Sequence, residues 1–155
     1  KRCISIYNQM VFTIENSRKF EAATLRRLLR IIGIDPYYTF VTKGKKEINK
    51  YRVPVARILQ ERKEEARLMG GMARTDVAVY NIPKLGKNYI ANWQHHDVIM
   101  ISSKGERYYE FHPWEKYITP VDTFIDKDIP IYEFLMDLKE RGENINDYKT
   151  IWYYY

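Results

Sequence analysis

Strand-like and helix-like segments alternate along the first half of the chain, and this alternation constrains the fold more than any other feature. Residues 3–13 (CISIYNQMVFT), 37–42 (YYTFVT) and 76–80 (DVAVY) are rich in β-branched and aromatic residues, which is typical of strands. Apolar residues at helical spacing lie between these segments, and Ser17 is a candidate N-cap for the first helix. The order strand–helix–strand–helix–strand predicts a parallel sheet with right-handed crossovers.

Glycine and proline mark the expected ends of the two helices. Gly33 follows the first apolar periodic segment, and we expect the first helix to end there. Pro54 precedes the second, which should continue to Gly70–Gly71. The charged residues of the second helix are spaced four apart in several places, which predicts a solvated face with ion pairs along it.

The second half of the chain has a different pattern. Residues 81–88 (NIPKLGKN) are expected to form a loop. Residues 96–102 and 107–111 flank the turn Ser103-Lys104-Gly105 and predict a β-hairpin. Residues 131–138 (IYEFLMDL) predict a helix that stops near Gly142.

We therefore predict a fold of the α/β class in two parts. Residues 1–82 form a βαβαβ unit, and residues 83–155 form a C-terminal cap region with a hairpin and a helix. A parallel sheet of three strands leaves two exposed edges, and parallel sheets are usually larger and covered on both faces. We therefore expect the chain, whose first residue is Lys1 and not methionine, to be a piece of a larger α/β protein.

Composition excludes several classes of protein. The 155 residues include 26 Lys and Arg against 20 Asp and Glu, a net charge of +6 that favours anionic partners. The single cysteine, Cys3, excludes an internal disulfide framework or a cysteine-rich metal site, fits a reducing cytoplasm, and is expected to be buried in its apolar run. Apolar runs are too short for a membrane span. The adjacent His95 and His96 should point to opposite faces of a strand, which argues against a shared metal ion.

Lysines at two places in the chain are candidates for catalytic or binding roles. Lys87 follows a strand and lies beside a glycine, where a lysine could form a Schiff base with an aldehyde cofactor, although spacing alone favours an ordinary surface lysine. Lys43, Lys45 and Lys46 follow the second strand and could bind a carboxylate or phosphate, or form a solvated turn. Nucleic-acid binding is disfavoured, because aromatic residues are not interleaved with the basic ones.

An ordered set of short motifs resembles the C-terminal half of the lysine 2,3-aminomutase family. The motifs are YNQMVF, IIGIDPYYTF, YRVPVARILQ, DVAVYNIPKLGK and HDVIMISSKGERYYEF. The family has an NQSV strand, a PYY-aromatic strand, an R-x-P helix start, a VVDAPGGGGK loop and a VILRN-x-EG strand pair. Each motif is short, but their order and spacing make the resemblance specific from about Ser5 to about Tyr117.

The resemblance implies roles for four residues. Lys87 occupies the position of the family lysine that holds pyridoxal phosphate, and Gln9 matches a glutamine near that cofactor. In lysine-specific members two aspartates bind the substrate's distal ammonium group. Lys43 and Asn81 stand at those positions here. A lysine and an amide suit a carboxylate, so the resemblance implies an acidic substrate such as glutamate.

The resemblance further implies an incomplete, TIM-like α/β barrel, of which this chain would supply the last strands, helices and cap. The full protein would be a cytoplasmic isomerase, a radical S-adenosylmethionine 2,3-aminomutase, with a [4Fe-4S] cluster whose ligands lie outside this chain. We expect this fragment alone to be inactive, with the missing N-terminal half of the same protein as its partner and a homo-oligomeric assembly. Membrane and metal sites are not expected in this chain.

Departures from the family pattern leave a second interpretation of the function open. The four-glycine loop is reduced to Lys84-Leu85-Gly86, and the cysteines that bind zinc in some members are absent. The alternative is a degenerate, non-catalytic family member that acts as a basic module for nucleic acid or a protein partner. A third possibility is a related radical enzyme that acts on another amino acid.

Overall fold

The first sheet of the protein has the predicted βαβαβ topology with one added strand. The computed structural model describes residues 3–41, 50–92 and 95–155. Within them the sheet has the order β1-β2-β3-β4, and its strands are Ile6–Phe12, Ile34–Val41, Val77–Ile82 and Gly86–Tyr89. Strands β1, β2 and β3 are parallel, whereas β4 runs antiparallel to β3. The connecting helices are α1 and α2, over Glu21–Ile31 and Val55–Glu65.

The second half of the chain forms a separate antiparallel sheet. Its order is β5-β6-β7, and its strands are His96–Ile101, Arg107–Phe111 and Phe124–Lys127. Helix α3 covers Ile131–Glu140, and a 3₁₀ helix covers Ile145–Tyr153. The hairpin and the helix before Gly142 are confirmed. Strand β7 was not predicted, because the sequence FIDK places two charges in only four residues.

The described residues thus form a mixed α/β fold with two sheets, and they do not close a barrel. The α/β class is confirmed, whereas the TIM-like partial barrel stays a prediction. No described helix is long and apolar enough to cross a membrane.

Two predicted boundaries, the start of β2 and the N-cap of α1, are wrong. Strand β2 begins at Ile34 rather than at Tyr37, because residues 34–36 pair in parallel with the start of β1. The N-cap of α1 is Phe20, whose backbone is left-handed with φ 64°, rather than Ser17. The Ser17 hydroxyl instead donates to the carbonyl of Ile14 in the preceding 3₁₀ turn. The predicted helix end is confirmed, since Gly33 adopts φ 85° just after α1.

Two further predictions, one for Cys3 and one for the end of α2, are wrong. Cys3 precedes β1 and is exposed, so the prediction of a buried thiol is wrong. Helix α2 ends at Glu65, well before the predicted stop at Gly70–Gly71. The residues that follow make single hydrogen-bonded turns, and a 3₁₀ helix then covers Gly71–Ala73.

The core lies on one face of the first sheet, against α2, α3 and the second sheet. Side chains alternate along β3, so Ala78, Tyr80 and Ile82 share the covered face. The ring of Tyr80 meets that of Phe111 at 5.3 Å between centroids, which joins the two sheets. Helix α2 contributes residues that are almost completely buried, among them Val55, Ala56 and Ile58.

Much of the polar side of α2 is buried, contrary to the prediction of a solvated face. Arg57 donates to Glu61 at 2.7 Å and to the carbonyl of Ser17 at 2.9 Å. One turn further on, Glu65 pairs with Arg26 of α1. Burial raises the pKa of Glu65, and Arg26 opposes that effect. These pairs form because α2 is packed on several sides at once, so its charged side chains find partners within the protein.

Candidate functional site

The candidate site is the second face of the first sheet, which α1 and α2 do not cover. We call this surface the open face, and the side chains of Gln9, Tyr38, Asn81 and Lys87 lie on it. Gln9 of β1 pairs with Tyr38 of β2, and Asn81 of β3 pairs with Lys87 of β4. Paired residues project from the same side of a sheet. The side chains of Gln9, Asn81 and Lys87 are exposed, whereas their neighbours in sequence Met10, Tyr80, Ile82 and Asn88 are buried.

Lys87 lies on strand β4, so the prediction that it belongs to a loop is wrong. A tight turn over residues 82–85 reverses the chain, with Leu85 N–H donating to the carbonyl of Ile82 at 3.2 Å. Lys84 and Gly86 adopt left-handed backbone, with φ 67° and 73°. This turn brings Lys87 back opposite Asn81, where the two Cβ atoms are direct neighbours across the strand pair.

The amine of Lys87 rests on an aromatic ring. Its Nζ lies 3.9 Å from the ring centroid of Tyr38, well inside the range of a cation–π contact. Its side chain is exposed, and no carboxylate among the described residues forms an ion pair with it. The site therefore presents a primary amine that solvent and small molecules can reach.

A second tyrosine supports the first. Tyr37 and Tyr38 are adjacent in sequence, and their ring centroids are 4.2 Å apart. Hydrogen bonds from Tyr37 and from Lys87 lower the pKa of the Tyr38 hydroxyl, and the same bond to Tyr38 raises the pKa of Tyr37. Tyr7 extends this aromatic group, with its ring 5.7 Å from that of Tyr37. The sequence analysis did not single out these tyrosines.

The structure brings together three of the four predicted site residues. Asn81 and Lys87 are direct neighbours, and Gln9 pairs with Tyr38, the residue that Lys87 contacts. Lys43 lies outside the described residues. The roles that the resemblance implies for these four residues stay predictions, but three of them share one accessible surface.

His96 does not belong to the open face. His96 is buried, and burial lowers its pKa to about 4, so its ring is neutral at pH 7. Its ring contacts Tyr109 and Phe111, whereas His95 contacts Tyr89. Within residues 3–41, 50–92 and 95–155, no three His, Cys, Asp or Glu side chains are grouped so that they could hold a metal ion.

The site thus belongs to an α/β protein that has helices on one face of a mainly parallel sheet and an accessible lysine amine on the other.

No protein-family profile matches the chain. Over 152 residues, 98% of its length, the chain is 53% identical to an uncharacterised KamA family protein of Methanocaldococcus jannaschii. It spans only 24% of that relative. This similarity to a KamA family protein confirms the resemblance that the motifs indicate.

Proposed function

We propose that the chain is the C-terminal portion of a radical S-adenosylmethionine, pyridoxal-phosphate-dependent 2,3-aminomutase that acts on an acidic amino acid. Similarity to a KamA family protein supports the aminomutase class with its S-adenosylmethionine and [4Fe-4S] cluster. The observation that carries the cofactor proposal is the accessible amine of Lys87, paired with Asn81 and resting on Tyr38.

The residues of the open face fit pyridoxal phosphate. A lysine can form a covalent link to an aldehyde when its amine is reachable and is not held in a salt bridge. Lys87 is exposed and forms no ion pair with any described residue. Aromatic side chains beside that amine provide a surface for a flat ring. When bound, the cofactor supplies electron delocalisation to the reacting carbon, and the protein supplies position. In this scheme Lys87 holds the cofactor and Gln9 lines the same face.

The substrate proposal rests on Asn81 and Lys43. Asn81 is exposed on the open face, directly opposite Lys87, so a group bound at Asn81 would lie close to the amine. Its amide can donate to a carboxylate, whereas the family's aspartate at this position would repel one. Lys43, by its place in the sequence after β2, would add a positive charge. Together they support an acidic substrate, with glutamate as the candidate.

The uncovered edge of the first sheet supports a larger parent protein. Strand β1 pairs with β2 on one side and has no strand partner on the other among the described residues. Beside it, α1 and its C-cap residue expose an apolar stripe of Leu25, Leu28 and Ile32, spaced three and four residues apart. The relative is about four times as long as the aligned segment. We propose that the rest of the parent protein adds a strand to β1 and covers this stripe.

Borohydride trapping tests the cofactor proposal. The full-length protein is mixed with pyridoxal phosphate, reduced with borohydride and digested, and the labelled lysine is located by mass spectrometry. We expect the label on Lys87. The variant Lys87→Arg should lose it, whereas Lys84→Arg, a change at the neighbouring turn, should retain it. A label on other lysines, or none, would sink the assignment of Lys87.

A charge exchange tests the substrate proposal. The double variant Lys43→Asp, Asn81→Asp places two carboxylates where the wild type has a cation and an amide. We expect kcat/KM for glutamate to fall by a factor of 100 or more, on the order of two lost charge-assisted contacts. The double variant Lys104→Asp, Asn146→Asp, at two exposed positions in the second half of the chain, makes the same change in net charge and provides the control. Wild-type protein that never turns over glutamate would refute this reading.

A further inference from the structure

We propose that Tyr38 is a positioning residue for the amine of Lys87, and that Tyr37 holds Tyr38 in place. This inference rests on the proposed function of Lys87 and adds the contacts that orient it. The geometry behind it comes from an irregularity in the β1–β2 pair, from the Lys87–Tyr38 contact and from the tyrosine pair.

The irregularity puts two successive tyrosines on one side of the sheet. Asn8 pairs with Pro36 and Gln9 pairs with Tyr38, so Tyr37 is an extra residue with no partner in β1. Consecutive side chains normally alternate between faces, but an extra residue breaks the alternation. Pro36 and Thr39 are therefore both buried, and the two tyrosines between them are both on the open face. Bulges of this kind are over-represented beside active sites, where they redirect a side chain.

The contact with Lys87 crosses the sheet. Lys87 lies on β4 and Tyr38 on β2, with β3 between them. The Lys87 side chain nevertheless reaches the ring, with Nζ 3.9 Å from its centroid. A flexible lysine otherwise samples many rotamers, and a cation–π contact favours those over the ring. Val79 lies between them on the open face and is fully buried although it lies outside the main core cluster.

Tyr37 packs beside Tyr38. The Tyr37 and Lys87 side chains both lower the pKa of the Tyr38 hydroxyl, so both lie near it. The Tyr38 ring is held by packing against Tyr37 and Phe40, with ring centroids 4.2 and 5.5 Å away. A ring held in this way can define where the ammonium group sits, whereas a free ring could not.

Two measurements on the full-length protein test this role. The first is the fraction of Lys87 trapped by borohydride at subsaturating pyridoxal phosphate. The second needs no cofactor and compares the rate at which acetic anhydride acetylates Lys87 with the rate at Lys84. The variants are Tyr38→Phe, Tyr38→Leu and Tyr37→Phe, and Tyr132→Phe on the exposed side of α3 is the control.

We expect the two measurements to move in opposite directions. Tyr38→Phe keeps the ring and loses the hydroxyl near which the Tyr37 and Lys87 side chains lie, so trapping should fall about five-fold. Tyr38→Leu also loses the cation–π contact and should fall about three-fold further, while acetylation of Lys87 relative to Lys84 rises at least about three-fold. Tyr37→Phe should resemble Tyr38→Phe. Local unfolding would not give this divergence, because it would expose both lysines.

The outcomes separate this inference from the function on which it rests. Unchanged acetylation of Lys87 in Tyr38→Leu would overturn the positioning role, whatever the trapping result. A wild-type protein that is not labelled at Lys87, but in which Tyr38→Leu still raises acetylation, would refute the cofactor proposal and support the contact.

Discussion

Replacement of Asp128 by asparagine should remove most of a pH dependence of stability. Asp128 is buried at the end of β7, and its Oδ2 accepts a hydrogen bond of 2.9 Å from the backbone N–H of Val55, the first residue of α2. The N-cap of that helix, Pro54, has no side chain that could do this. The other carboxyl oxygen, Oδ1, has no hydrogen-bond partner among the described residues.

Burial raises the pKa of Asp128 to about 7, against the hydrogen bonds from Val55 and Ile129 that lower it. Between the ordinary value of 3.8 and about 7, the folded protein keeps a proton that the unfolded chain has lost. The free energy of unfolding therefore falls as the pH rises through this interval and levels off above it. At about 1.4 kcal/mol per pH unit, the free energy of unfolding falls by about 4 kcal/mol over the whole interval.

The variant Asp128→Asn keeps an oxygen that can accept from Val55 but does not titrate. Urea unfolding followed by circular dichroism at intervals from pH 5 to pH 8 measures the effect. The variant should gain about 3 kcal/mol relative to the wild type across this range, whatever constant offset the new amide introduces. Asp122→Asn, at an exposed position before β7, should follow the wild-type profile. Parallel profiles for Asp128→Asn and the wild type would refute the reasoning.

Two further predictions concern left-handed backbone. Lys84 has φ 67° in the β3–β4 turn, so Lys84→Gly should raise the free energy of unfolding by about 0.5–1 kcal/mol in thermal denaturation, with no such gain for Lys104→Gly. Gly105 has φ 78°, and an added Cβ would lie 2.5 Å from the Trp152 ring, so Gly105→Ala should cost about 2 kcal/mol or more and speed proteolysis of the C-terminal tail. Gly142→Ala, with φ 88° and open space around it, should cost only about 1 kcal/mol. Equal costs at the two glycines would contradict the role of the contact.

Local sequence patterns predicted most of the first sheet. Apolar periodicity, Gly33 and Pro54 gave the βαβ order and the helix that begins after the proline. The same patterns missed β4, because Gly86–Tyr89 is only four residues long and becomes a strand through its pairing with β3. They also assigned the charges of α2 to solvent, since spacing alone does not distinguish an exposed ion pair from a buried one such as Arg57–Glu61.

For the candidate site, the sequence by itself determined which residue types were available and, through the order of its motifs, the family that the chain resembles. It singled out Lys87, Asn81 and Gln9 but could not show that they share a surface, because residues 9 and 87 lie far apart in the chain. The tertiary structure decided this through strand register, which sets the face on which each side chain projects. It also placed Tyr38 under the Lys87 amine and gave α2 its cap from Asp128, 73 residues beyond Val55. Helical and strand periods are set by neighbours within a few residues, whereas these contacts depend on how distant strands pair and pack.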